Sequence, residues 1–177
     1  MKKVLILLLI AFTFSGCEKD DICIDETTPR LILEFYDIAN PANLRNVINL
    51  KVQGQGADDF IVFNTALLET DPARYLFNGN KIELPLNITQ DTTKYTLILN
   101  STSSTGTNTD FLQFNYSRQN VFVSRACGYK TIFELNPTPN GVIKTDAVPA
   151  DTFWIQDINI QTTNIETENE THIKIYF

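Results

Sequence analysis

Apolar and polar residues alternate along most of this chain, and no long stretch carries a helical repeat. A period of two commits a segment to a strand with one buried and one solvated face, so the pattern points to antiparallel sheet. Leu31, Leu33 and Phe35 fall on one face of a first strand after Pro29, and Ile48, Leu50 and Val52 on one face of a second, with Asn49 and Lys51 opposite. Tyr75 to Phe77, then Asn78-Gly79, then Ile82, Leu84, Leu86 and Ile88 predict a hairpin, because Asn-Gly supplies the positive φ of a tight primed turn. Pro85 has no amide hydrogen to give and is expected on an edge or beside a bulge.

The pattern continues through Tyr95, Leu97 and Leu99, a Ser/Thr-rich loop over 101–108, and a strand through Leu112, Phe114 and Tyr116. Arg118 to Asn120 reads as a turn, Val121 and Val123 lead to Cys127, and Tyr129 to Leu135 form another strand before the turn cluster of Pro137 to Gly141. Near the end, Phe153 and Ile155 share one parity and Ile158 and Ile160 the other, which predicts a β-bulge near Gln156 or Asp157. Ile173, Ile175 and Phe177 close the pattern. Eight or nine short strands with regular turn signals predict an all-β, antiparallel β-sandwich of immunoglobulin-like topology; a small up-and-down β-barrel, such as a lipocalin-like cup, would alternate in the same way.

The first residues set a different constraint. Met1-Lys2-Lys3, the apolar run Val4 to Phe14 and Ser15-Gly16-Cys17 have the three-part layout of a secretory signal peptide. The run is near half of the roughly 20 residues a transmembrane helix needs. Small residues just before a cysteine are similar to the box read by the lipoprotein signal peptidase, although Phe14 stands where that box usually has Leu. Cleavage before Cys17 would remove residues 1–16 and leave Cys17 acylated; the alternative is an ordinary cleaved signal with a plain thiol. Several acyl chains anchor a protein stably where one does not. Glu18-Lys19-Asp20-Asp21 resembles the Bacteroidota signal that sends lipoproteins to the outer face of the outer membrane, and otherwise serves as a charged, solvated spacer. The expected location is therefore the outer membrane, lipid-anchored and exposed at the cell surface, with a periplasm-facing orientation as the alternative. The expected divisions are a leader over 1–16, a tether over 17–28 and one domain over 29–177.

With Cys17 lipidated, two of the three cysteines remain in an oxidising compartment, and Cys23 and Cys127 are expected to pair rather than persist as free thiols. Their spacing fits no metal pattern and no Cys-x-x-Cys motif exists. Such a bridge would close a loop of about 100 residues and pin the tether to the domain. A hydrophobic fraction of 43%, with 12 Phe and 6 Tyr, is that of a folded domain. The formal charge of −7 disfavours nucleic acid as a partner.

Catalytic groups are sparse. His172, the one histidine, shares parity with Lys174 and Tyr176 and is expected to face solvent, which disfavours a His-based triad. Asp58-Asp59, or Asp146 with Asp151, could bind calcium or act as a glycosidase pair, but adjacent carboxylates more often cap turns or face solvent. No metal and no cofactor are expected. Trp154, the only tryptophan, is expected in the core rather than on a carbohydrate platform. Tyr116, Arg118, Arg125, Tyr129 and Lys130 form a local excess of cationic and aromatic residues, read as a candidate contact patch against the plainer reading of edge charges and core tyrosines. Asp91-Thr92-Thr93 resembles a short acceptor motif for O-glycosylation, which would place Thr92 on a loop.

Cys17 to Cys23, Thr28-Pro29-Arg30-Leu31 to Tyr36-Asp37, Ser124 to Lys130 and Ile173-Lys174-Ile175-Tyr176-Phe177 together resemble an uncharacterised Bacteroidota lipoprotein family, domain of unknown function family 6452. The resemblance spans nearly the whole chain; it implies location and no activity. The expectation is a non-enzymatic binding or accessory module held to the membrane by its lipid, with an envelope protein or an extracellular ligand as partner. A carboxylate-dependent hydrolase acting on envelope or extracellular glycans and an apolar-ligand carrier are the alternatives.

Overall fold

The computed structural model describes Cys23 and residues 27–177. The strands are β1 (Leu31–Tyr36), β2 (Val47–Gly54), β3 (Phe77–Gly79), β4 (Lys81–Leu84), β5 (Thr92–Leu99), β6 (Asn108–Ser124), β7 (Gly128–Leu135), β8 (Val142–Asp146), β9 (Asp157–Ile160), β10 (Asn164–Ile165) and β11 (Ile173–Tyr176). One sheet runs β4-β1-β11-β9 and the other β10-β7-β6-β5-β2-β3, with β8 also paired to β6. Both sheets keep free edges, so they stack as a sandwich and do not close into a barrel. The strand order is a β5-β6-β7 meander in one sheet and, in the other, a parallel pairing of β1 with β11 that sets Phe35 opposite Ile175. A constant-type immunoglobulin domain divides its strands as ABED and CFG, which sets no three consecutive strands side by side.

Side chains from both sheets fill the space between them. Leu31, Leu33 and Phe35 of β1 and Ile173 and Ile175 of β11 meet Leu50 and Val52 of β2, Tyr95 and Leu97 of β5 and Leu112, Phe114 and Tyr116 of β6. Trp154 lies in this core as expected, tilted against Phe35 at 6.2 Å and edge-on to Phe177 at 5.6 Å.

Several local expectations change. Asn78-Gly79 does not turn a hairpin: β3 pairs with β2 and β4 with β1, so this segment carries the chain from one sheet to the other. Ile48 leaves the buried face because β2 bulges there. Two residues, Ile48 and Asn49, sit between the pairs Val47–Gly79 and Leu50–Phe77, where β3 has only Asn78. Asn49 takes φ 47° and its amide donates to the Asn78 side chain at 2.9 Å, so Val47 is buried while Ile48 is 58% exposed. Pro85 directly follows β4, an edge strand, where its missing amide costs nothing. The parity change near Gln156 is an irregular approach to β9, with Trp154 and Ile155 both buried and the Gln156 amide bonded to the Tyr176 carbonyl.

The largest departure is at Arg118 to Asn120, which is not a turn. β6 runs on for 17 residues, and the hairpin turn comes after Ser124. β7 and β8 lie end to end along one side of β6: both the Asn115 amide, bonded to Gly141, and the Asn115 carbonyl, bonded to Asn136, point to that side.

Candidate functional site

The distal half of the β6–β7 hairpin leaves the core. Its core-facing register pairs Tyr116 with Leu135, Arg118 with Phe133, Asn120 with Thr131 and Phe122 with Tyr129. Tyr116, Leu135 and Phe133 are buried. Arg118 and the Asn120–Thr131 pair form a polar step at the rim, where Thr131 Oγ1 bonds Asn120 Oδ1 at 2.9 Å. Beyond it, Phe122 and Tyr129 stack edge to face at 5.4 Å and are 56% and 72% exposed.

Cys23 and Cys127 are joined in a disulfide at this tip. The Cys127 amide donates to Ser124 Oγ at 3.1 Å, which shapes the turn. Further down, Thr28 Oγ1 accepts from the Thr131 amide at 3.0 Å, so the segment leading to β1 is held against the hairpin at two levels. Cys17, the leader over 1–16 and the Glu18 to Asp21 run lie outside the described residues; of the tether, Cys23, Thr27 and Thr28 are described.

The five residues of the sequence-predicted patch do not share one surface. Tyr116 is a correction: it is 1% exposed, edge-on to Phe133, with its hydroxyl bonded to Thr93 and donating to the Asn87 carbonyl. It shares parity with Leu112 and Phe114 and belongs to the core, where burial raises its pKa. Arg118 is engaged at the rim, its Nε 2.7 Å from Asp91 and its Nη1 donating to the Ile88 carbonyl. Lys130 Nζ donates to the Glu166 carbonyl at 3.1 Å. Arg125 and Tyr129 are exposed at the tip, and the aromatic beside Tyr129 is Phe122, which the turn expected at Arg118 had hidden. Thr92 is exposed but opens β5, opposite Asn115, rather than lying in a loop.

The acidic residues divide into two places. Asp58 and Asp59 lie on the exposed loop after β2. Asp146 stands opposite Asp110 across β8 and β6, and Asp151 accepts from the Thr109 amide at 3.2 Å. Asp110 is the acid that sequence reasoning passed over, although it shares the parity of Leu112 and Phe114. It is fully buried; Oδ2 accepts from the Ile155 amide at 2.8 Å and Oδ1 has no hydrogen-bond partner. Burial, with Asp146 and Asp151 nearby, pushes its pKa up to about 6, against the pull of the Ile155 amide and Lys144. Lys144 Nζ is taken up by the Ile155 and Gln156 carbonyls. Among the described residues, no group of three His, Cys, Asp or Glu could hold a metal ion.

His172 is a second correction. It directly precedes β11 and is fully buried rather than facing solvent. Glu168 takes hydrogen bonds from Arg30 N, Nε and Nη2 at 2.6 to 2.8 Å and fixes the segment before β11 close to the imidazole. Nδ1 accepts from the Ile32 amide at 2.9 Å, which puts the neutral ring's proton on Nε2, turned towards Thr167 without hydrogen-bonding geometry. Burial lowers its pKa. The ring acts as a backbone acceptor at the edge of β1.

Fold and site together define a two-sheet β-sandwich domain whose N-terminal segment is bonded to the tip of a long hairpin. The chain belongs to the family of unknown function DUF6452, which it matches over residues 49–177, from the bulge of β2 to the final residue. No curated protein and no solved structure matches it.

Proposed function

We propose that this chain is a bacterial envelope lipoprotein of the Bacteroidota, acylated at Cys17 after removal of residues 1–16, displayed on the outer membrane, and acting as a non-enzymatic binding or accessory module for an envelope protein or extracellular ligand. The observation that carries the reading is the Cys23–Cys127 disulfide. A disulfide belongs to an oxidising compartment, which agrees with the signal-peptide layout, and it leaves Cys17 as the odd cysteine, positioned directly after Ser15-Gly16. The packed interior supports a module that works through its surface. The space between the sheets is filled by side chains such as Phe35, Phe114 and Trp154, where an apolar-ligand carrier would need an open cup.

The test is protease treatment of intact cells, with mass spectrometry of released peptides against a lysed-cell control. Release from intact cells is expected. Release only after lysis would contradict surface display, and turnover of an envelope glycan by the purified protein would contradict the non-enzymatic reading.

A further inference from the structure

Phe122 and Tyr129 lie on the face of the β6–β7 hairpin that forms the core lower down, yet Arg118, Asn120 and Thr131 stand between them and the core. Phe122 is six residues beyond Tyr116 along β6, about 20 Å at the rise of a strand, and Tyr129 is six residues before Leu135 on β7. The sandwich does not need this pair. Cys23 is bonded to Cys127 at the same tip, and Cys17 precedes it by six residues, a reach of at most about 20 Å in fully extended chain.

We propose that the hairpin tip rests on the lipid bilayer, with Phe122 and Tyr129 seated in its interfacial layer and Arg125 among the lipid phosphates. This rests on the proposed acylation of Cys17. Acyl chains inserted at Cys17 hold the disulfide, and with it the tip, within one short tether of the membrane surface. The Tyr129 ring, with its hydroxyl as a polar end, suits that layer, Phe122 adds apolar area beside it, and the Arg125 guanidinium suits anionic headgroups. The tip thus becomes a second contact that orients the sandwich, with the long axis of β6 rising from the membrane and the loop carrying Val148 at the far end. That loop is placed by Asn108 at the start of β6, whose side-chain amide donates to the Asp151 and Thr152 carbonyls.

The full acylated chain, carrying F122W or V148W, is reconstituted in vesicles of phosphatidylethanolamine and phosphatidylglycerol brominated at shallow acyl positions. Phe122 and Val148 are both exposed, so neither change disturbs the core, and Trp154 gives the same background in each. Fluorescence of F122W is expected to be quenched about twofold or more relative to V148W. Acylated protein in which F122W is quenched no more than V148W overturns the tip contact, as it would if a partner protein covered the tip instead. Protein whose N-terminal peptide carries no acyl mass overturns the acylation itself, and the tip contact with it.

Discussion

Two buried titratable residues tie stability to pH in opposite senses. Asp110 has a folded pKa of about 6 against an ordinary 3.8, so the folded state holds its proton more tightly than the unfolded chain. Its contribution is fully present below pH 3.8 and is lost as pH rises through 6, on the order of 2–3 kcal/mol. His172 is depressed by burial, so its contribution is present above its ordinary 6.5 and is lost as pH falls through its lowered folded value, where the protonated ring opposes the Ile32 amide. Urea denaturation across pH 4 to 8 is therefore expected to show partial cancellation in the wild type. D110N should remove the rise in stability on acidification and leave a net fall; H172Q should do the reverse. Parallel profiles for the two variants would refute both assignments. Asp110 was legible, since it breaks an apolar parity it shares with Leu112 and Phe114. The burial of His172 was not, because it depends on Arg30 gripping Glu168 from far away in sequence.

At the scale of elements, alternation located most strands correctly and misplaced the connections. Arg118 and Asn120 read as a turn because polar residues interrupt the apolar face, whereas the strand continues and the face itself leaves the core. Asn78-Gly79 read as a hairpin because the dipeptide signals a local turn, and nothing local reports that its two flanks join different sheets. Two elements carry direct tests. A Cβ at Gly141 would stand 2.2 Å from the Asn136 carbonyl oxygen, where the turn closes and both ends bond Asn115. G141A is expected to cost about 1–3 kcal/mol by denaturant titration, as overpacking against backbone does. The disulfide spans a sequence separation of 104, for which loop-closure entropy gives about 4–5 kcal/mol. C127S and C23S should lower the stability equally, and the double variant should lose no more than either alone. A double variant markedly weaker than both singles would show that the thiols stabilise the fold separately.

For the whole molecule, the sandwich was readable from the period of two, and its strand order was not, since pairing β1 in parallel with β11 joins the two ends of the described domain and leaves no local trace. The candidate site was half legible: Cys23 and Cys127 by parity of cysteines, Arg125 and Tyr129 by composition, but neither Phe122 as the ring beside Tyr129 nor the burial of Tyr116. The arrangement gives the proposed lipoprotein a mechanical logic. A lipid at Cys17 would pull on a short tether whose next fixed point is the hairpin tip, so that load enters the larger sheet through β6 and β7 rather than through β1 alone. The claim on which this depends is the acyl modification. The most direct measurement is the intact mass of the N-terminal peptide of the protein purified from cells that produce it naturally. The expected result is a peptide beginning at Cys17 with the added mass of acyl chains, and a C17A variant that keeps its leader and lacks that mass. A mature peptide beginning elsewhere, or beginning at an unmodified Cys17, would contradict it.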